Sequence, residues 1–152
     1  MHGEELLRLF DPRTCLFDLQ ATSKDVALEA IVARIAAAGT HHHQILLDML
    51  RNREALGSTA VVKGVAFPHG RSLAVTRLTA VFARSPGGVP FDSTDGEPTH
   101  LFFALLAPPQ DRDNQYLPAL GRIVETVQDD TLRDRLLAAS TFDKFAAVIR
   151  KD

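Results

Sequence analysis

The sequence predicts an α/β chain, a three-layer α/β/α sandwich around a central mixed β-sheet, and two observations carry that prediction. His100 to Ala107 is a continuous apolar run closed by Pro108-Pro109, which reads as a strand buried on both faces. Such a strand needs a layer on each side. Apolar residues recur at helical spacing before it (Leu28, Ile31, Val32, Ile35, then Ile45, Leu46, Met49, Leu50) and after it (Leu117, Leu120, Ile123, Val124, Val127), the period of helices with one apolar face.

Taken in order, Leu6, Leu7, Leu9 and Phe10 form a short apolar element that breaks at Asp11-Pro12, and a second patch runs from Cys15 to Leu19. The pattern leaves helix or strand open for both. Thr22 and Asp25 have capping-box spacing and introduce a helix over 23–38 that stops at Gly39. A second helix follows the run His41-His42-His43 and ends before Gly57, a C-terminal cap, so Arg53 lies in its last turn, where the helix dipole favours a cation. Thr59 to Val62 and Gly64 to Phe67 are short β-prone pieces, and Val75 to Arg84 is a longer one with Leu78, Ala80 and Phe82 on one face. Ser85-Pro86-Gly87-Gly88 and Asp92 to Gly96 have turn composition. Beyond the apolar run, helices are expected at Tyr116 to Gln128, Leu132 to Ala139 and near 142–150.

A chain of 152 residues, 45% hydrophobic and 24% charged, suits one domain with a sizeable core, so residues 1–152 are expected to be a single unit. The formal net charge of −2 gives no reason to expect a nucleic-acid partner. Cys15 is the one cysteine, so an internal disulfide is impossible and a reducing cytoplasm is the expected compartment. The N-terminus has no basic segment leading into a long apolar stretch, and no run approaches the roughly 18 apolar residues of a membrane span. Direct membrane insertion is not expected.

The stretch from Arg53 to Arg71, R-E-A-L-G-S-T-A-V-V-K-G-V-A-F-P-H-G-R, concentrates the chemistry. Pro68 restricts its own backbone and that of Phe67, so the chain enters His69 with little freedom. Gly70 lets the chain turn tightly or bring its N–H close to a ligand. His69 is thus a presented side chain, expected in the connection between two strands. Arg53, Arg71, the Ser58 and Thr59 hydroxyls and the backbone N–H groups near Gly70 can surround an anion, and a histidine nucleophile among cations suits a phosphoryl group. An isolated P-H-G would read as a solvated turn, Ser58 and Thr59 as capping residues and Arg71 as a solvated charge. Glu54 is expected to pair with an arginine or face water and has no role. No metal-ligand spacing surrounds His69, so neither metal nor cofactor is expected. Consecutive helical residues point in different directions, so His41, His42 and His43 read as a polar helix entry rather than a metal site. His100 reads as a strand-edge residue. Histidine phosphatases carry R-H-G, whereas Phe67-Pro68 precedes the histidine here.

The order and spacing of R-E-x-x-G-S-T and G-V-A-F-P-H-G-R resemble the active-site segment of the enzyme IIA domains of the bacterial phosphoenolpyruvate-dependent sugar phosphotransferase system, fructose/mannitol type. Val89-Pro90-Phe91-Asp92, Asp95-Gly96-Glu97-Pro98 and Leu101 to Pro108 look most like the nitrogen-regulatory branch, and the resemblance runs from about Ser23 to the C-terminus. It implies a phosphohistidine carrier in which His69 and Arg53 are catalytic, and Ser58, Thr59, Gly70, Arg71 and Tyr116 surround the phosphoryl group. The implied partners are an HPr-like phosphocarrier protein upstream and a IIB component or regulatory target downstream. The family usually has a second active-site histidine in an H-L pair where this chain has Tyr116-Leu117, and a more glycine-rich approach where it has Val62-Lys63. A tyrosine donates a hydrogen bond but does not become a cation near neutral pH. The alternative is therefore a regulatory binding module that keeps the fold without transferring.

Overall fold

One strand organises the molecule, a computed structural model that describes residues 1–39, 42–60 and 63–151. The elements in chain order are α1 (Gly3–Leu7), a 3₁₀ turn (Pro12–Thr14), α2 (Lys24–Ala37), α3 (His43–Ala55), β1 (Val65–Ala66), β2 (His69–Arg71), β3 (Thr79–Val89), β4 (Thr99–Ala107), α4 (Tyr116–Gln128), α5 (Asp130–Leu137) and α6 (Phe142–Ile149). β4 is paired along both edges. β3 runs antiparallel to it, while β1 and β2 run parallel to it, Val65 opposite Leu101 and His69 opposite Leu105. β1 and β2 are two pieces of one path interrupted at Phe67-Pro68, and the Pro68 carbonyl still accepts the Leu105 N–H at 2.9 Å.

Alternation along β4 divides the core. Leu101, Phe103, Leu105 and Ala107 face a cluster built with Leu6, Ile123, Phe145 and Ile149, residues of α1, α4 and α6. Phe102, Ala104 and Leu106 face the opposite cluster, with Leu28, Ile31 and Ile35 of α2 and Leu46 and Leu50 of α3. The mixed three-layer sandwich is therefore present, with α2 and α3 on one face and α1 and α4 to α6 on the other. Each fully buried Leu or Phe contributes about 1.5–3 kcal/mol relative to exposure. The stack of Phe82 on Phe145, with ring centroids 4.3 Å apart, ties β3 to α6.

The N-terminal patches resolve into a helix and an edge cover. Phe10 and Leu16 make single parallel bridges to Ala80 and Ala83, shielding the outer edge of β3 that would otherwise present unpaired backbone groups.

Several expectations need correction. The cap of α2 is Ser23, whose hydroxyl accepts from Val26 N at 3.2 Å, not Thr22 with Asp25. The long strand begins at Thr79 rather than Val75, because Val75 closes a turn by donating to the Ser72 carbonyl. Ser85 to Gly88 lies inside β3 and absorbs a register shift between Arg84 and Val89; proline and glycine in a strand mark such an irregularity as readily as a turn. His69 does not lie in a connection, since it opens β2. In the Thr59–Val62 piece, Ala60 makes one bridge to Ala66, and Val61 and Val62 lie outside the described residues. The helix expected from Leu132 starts earlier, at Asp130, because Asp129 caps it by accepting from Leu132 N.

Candidate active site

His69 reaches the surface because β2 begins where Pro68 has broken the edge path of β4. Its ring is held from both nitrogens. Nδ1–H donates to the Phe67 carbonyl at 2.8 Å, which assigns the lone pair to Nε2. Arg53 approaches that nitrogen from the end of α3, Nε to Nε2 3.3 Å, while its Nη1 donates to the Gly57 carbonyl at 2.8 Å. One guanidinium therefore bridges the C-terminus of α3 and the histidine. Arg53 lies in the last turn of α3, as the sequence suggests, and is half-buried there.

Strand alternation puts the side chain of Arg71, two residues on, on the same face as His69. Its guanidinium carbon lies 4.9 Å from the centre of the Tyr116 ring, and Nη1 donates to the Pro108 carbonyl at 3.1 Å. Tyr116 is the first residue of α4. That helix start is fixed by Asp111, whose carboxylate accepts the N–H groups of Gln115 and Tyr116 at 3.0 and 3.1 Å. Burial raises the Tyr116 phenol above its ordinary pKa, and the nearby charges of Arg71 and then Arg53 pull it partly back. The phenol is thus a neutral O–H donor at neutral pH, in the field of both arginines.

Gly70 serves close packing rather than a tight turn. A Cβ there would lie 2.5 Å from Met49 Cγ, so β2 lies against α3 only without a side chain at this position, and that contact brings Arg53 to His69.

The two hydroxyls are directed elsewhere. Thr59 is buried and donates to Glu54 Oε2 at 2.5 Å, and Ser58 donates to the Phe91 carbonyl at 2.7 Å while accepting from Ala60 N. Neither hydroxyl proton is turned toward His69. Glu54 is neither solvated nor paired with an arginine: its side chain is 3% exposed and receives Lys24 Nζ at 3.1 Å. Lys63 stands in the left-handed region at φ 62°, which explains the glycine-rich pattern expected there. His42 and His43 form the entry to α3 and His41 lies outside the described residues. His100 is the second residue of β4 and donates Nδ1–H to the Ser85 carbonyl at 2.9 Å.

The family model described as "Phosphoenolpyruvate-dependent sugar phosphotransferase system, EIIA 2" matches residues 8–152. The chain belongs to that family. Among curated proteins it is similar to the nitrogen regulatory protein of Bradyrhizobium diazoefficiens, 35% identical over 131 residues that cover 86% of this chain and 85% of the relative. Among solved structures it superposes on the nitrogen regulatory protein IIA-Ntr of Neisseria meningitidis with a TM-score of 0.87 at 28% identity, covering 95% of this chain and 99% of that one. The fold is shared as well with the enzyme IIAMTL of Escherichia coli in its complex with phosphorylated enzyme IIBMTL, TM-score 0.75 at 18% identity, over 92% of this chain and 97% of that one. This EIIA chain is thus related to both sugar-system and nitrogen-regulatory members.

Sequence reasoning missed three contributors. Glu54 carried a usable signal, a carboxylate in the last helical turn followed five residues later by a threonine past a glycine. Asp111 carried another, an acid shortly before a helix start whose own cap position, Gln115, caps poorly. Met49 carried none, because its role exists only through the missing side chain of Gly70.

Proposed function

We propose that this EIIA chain is a phosphohistidine carrier in the cytoplasm, acting as one domain, with Nε2 of His69 as the acceptor. The supporting observation is the pair of contacts that leaves the Nε2 lone pair facing an arginine while Nδ1–H is tied to Phe67. In the forward step the lone pair attacks the phosphorus of a phosphohistidine on an HPr-like donor. The new N–P bond forms as the donor's N–P bond breaks, and the electron pair leaves with the donor imidazole. The proton on Nδ1 stays in place, and the Phe67 carbonyl stabilises the positive charge that the ring gains. Arg53 gives up Nε2 as the phosphoryl group arrives and turns its fork to the phosphoryl oxygens, with Arg71 and the Tyr116 hydroxyl as further donors beside Gly70. Ser58 and Thr59 act by shaping the preceding turn. Transfer onward to a IIB component reverses the same chemistry, and a regulatory target reads the phosphorylation state instead.

The surroundings suit a protein partner. Leu56, Leu73 and Leu117 are 85%, 90% and 74% exposed, and each lies close in sequence to a site residue. A shallow groove of about 550 Å³ between α3 and β2 is lined by Ile45, Met49 and Leu56 together with the polar Asp48, Asn52 and Arg53. Such a surface is what a donor protein would cover on bringing its own histidine to His69.

The test is incubation with phosphoenolpyruvate and the general phosphotransferase components, read by intact mass at neutral to alkaline pH. A phosphoryl adduct that disappears in His69→Ala is expected; no adduct on the wild type, or an equal one on the variant, would overturn the assignment. Tyr116 in place of the second histidine favours one other reading, a regulatory module acting by binding alone. In that case His69→Ala leaves partner capture and phenotype unchanged.

A further inference from the structure

Behind Arg53 lies a buried polar network that phosphoryl chemistry does not touch directly. Glu54 follows Arg53 in the last turn of α3, and its carboxylate points the other way, into the protein. It accepts the Thr59 N–H at 3.1 Å and the Thr59 hydroxyl at 2.5 Å, and it receives Lys24 Nζ from the start of α2 at 3.1 Å. Lys24 also lies 5.0 Å from the centre of the Phe91 ring and 3.4 Å from the Asp92 carboxylate. The segment from Gly57 to Ala60 is therefore clamped to the helix it has just left. Ser58 on the Phe91 carbonyl and Ala60, whose carbonyl accepts Thr94 N at 3.3 Å, fasten its other side. The Gly57 carbonyl, two residues before Thr59, is the acceptor that fixes the Arg53 fork. Gly57 N also donates to the Glu54 backbone carbonyl at 3.1 Å, so the Glu54 side chain and main chain together hold the side of the turn that carries the Gly57 carbonyl.

We propose that Glu54, braced by Lys24, is a positioning residue for phosphoryl transfer: it holds the Gly57–Ala60 turn so that the Gly57 carbonyl orients Arg53 on Nε2 of His69. This rests on the carrier assignment for its kinetic consequence, but not for its geometric one. A carboxylate buried this completely is retained at a desolvation cost that an apolar residue would avoid. Specifying the turn geometry accounts for it.

The experiment has two arms. In single-turnover phosphorylation by a phosphorylated HPr-like donor, Glu54→Gln should slow transfer roughly ten- to a hundredfold, the scale of misplacing a catalytic group by about 1 Å. Thr59→Val, which removes the hydroxyl's bond to Glu54 and keeps the backbone one, should slow transfer in the same direction, and Thr59→Ser, which keeps the hydroxyl, should restore the wild-type rate. In an Arg53→Ala background Glu54→Gln should add nothing, because its effect passes through Arg53. Wild-type rates in Glu54→Gln and Thr59→Val, or an equal loss with and without Arg53, would overturn the proposal. The second arm uses ¹⁵N NMR of the unphosphorylated protein, where the Arg53 Nε–H resonance should be protected in the wild type and in Thr59→Ser and lost in Thr59→Val. Protection in all three overturns the proposal whether or not the protein transfers. Absence of transfer in the wild type, with the NMR pattern intact, overturns the carrier assignment alone.

Discussion

Arg53→Ala tests the proposed site most directly. The wild-type guanidinium makes one bond to the Gly57 carbonyl and one to His69 Nε2. Truncation leaves the Gly57 carbonyl to water, a small loss at an exposed glycine. The larger loss belongs to the transition state, where the fork would face the phosphoryl oxygens. A charge-assisted hydrogen bond of this kind contributes about 1.5–3 kcal/mol, so the phosphorylation rate should fall by about ten- to a hundredfold. Arg53→Lys keeps the charge but not the fork, and a single ammonium cannot reach Gly57 and the phosphoryl group with the same geometry, so it should recover only part of the loss. Folding should change little, because a cation in the last turn contributes only about 0.3–1 kcal/mol through the helix dipole. The assay is single-turnover transfer from a phosphorylated HPr-like donor, with thermal unfolding run in parallel. If Arg53→Ala transfers at the wild-type rate, the guanidinium is not a catalytic group and its contact with His69 is incidental.

Other outcomes follow from neighbouring features. Tyr116→His replaces a neutral phenol by a ring that becomes a cation below pH about 6.5, and it should lengthen the life of phospho-His69 most in that range, as followed by intact mass against time. Lys63→Gly removes a side chain held at φ 62° and should raise stability by about 1 kcal/mol in denaturant unfolding. Burial pushes the Cys15 thiol up to about 11 from 9.0; because the folded-state value is the higher one, its contribution is present below pH about 9 and lost as pH rises through about 11, a total of about 2–3 kcal/mol. Cys15→Ala should therefore show a shallower loss of stability over that alkaline interval.

The layers were legible in the sequence because β4 is buried on both faces and its helices are amphipathic, so the apolar pattern alone reports their environment. Tyr116 to Gln128 emerged with its boundaries intact because Asp129 opens a new helix directly behind it. The N-terminal patches were not legible, since Phe10 and Leu16 form single bridges whose only partner is the edge of β3, and one bridge leaves no period. Ser85 to Gly88 failed for a related reason: turn composition in a strand with a register shift looks the same as turn composition in a loop. At the candidate site, the order of Arg53, His69 and Arg71 was readable, whereas the directions of Ser58 and Thr59 were not. A hydroxyl beside a glycine can face a ligand or the protein, and here the buried Glu54 turns Thr59 inward while the Phe91 carbonyl takes Ser58.

Tyr116 gives this chain an electrostatic character that follows from which cations remain. A site with a second histidine gains or loses a charge near neutral pH, because imidazole titrates there. Here the group at that place is a phenol raised above its ordinary range by burial, and the charges around it belong to Arg53 and Arg71, neither of which loses its proton in a protein. Under the carrier assignment, the positive charge that Arg53 and Arg71 supply then stays constant across the physiological range. The stack on Arg71 adds about 0.5–1 kcal/mol at an exposed position and turns the arginine from a solvated charge into a placed one. The Tyr116 ring and the Pro108 carbonyl thus do for Arg71 what the Gly57 carbonyl does for Arg53: each guanidinium is oriented by partners outside His69. Tyr116→Phe keeps the ring and should preserve that orientation, whereas Tyr116→Ala should release Arg71 and weaken transfer further, and the difference between the two separates the hydroxyl's contribution from the ring's.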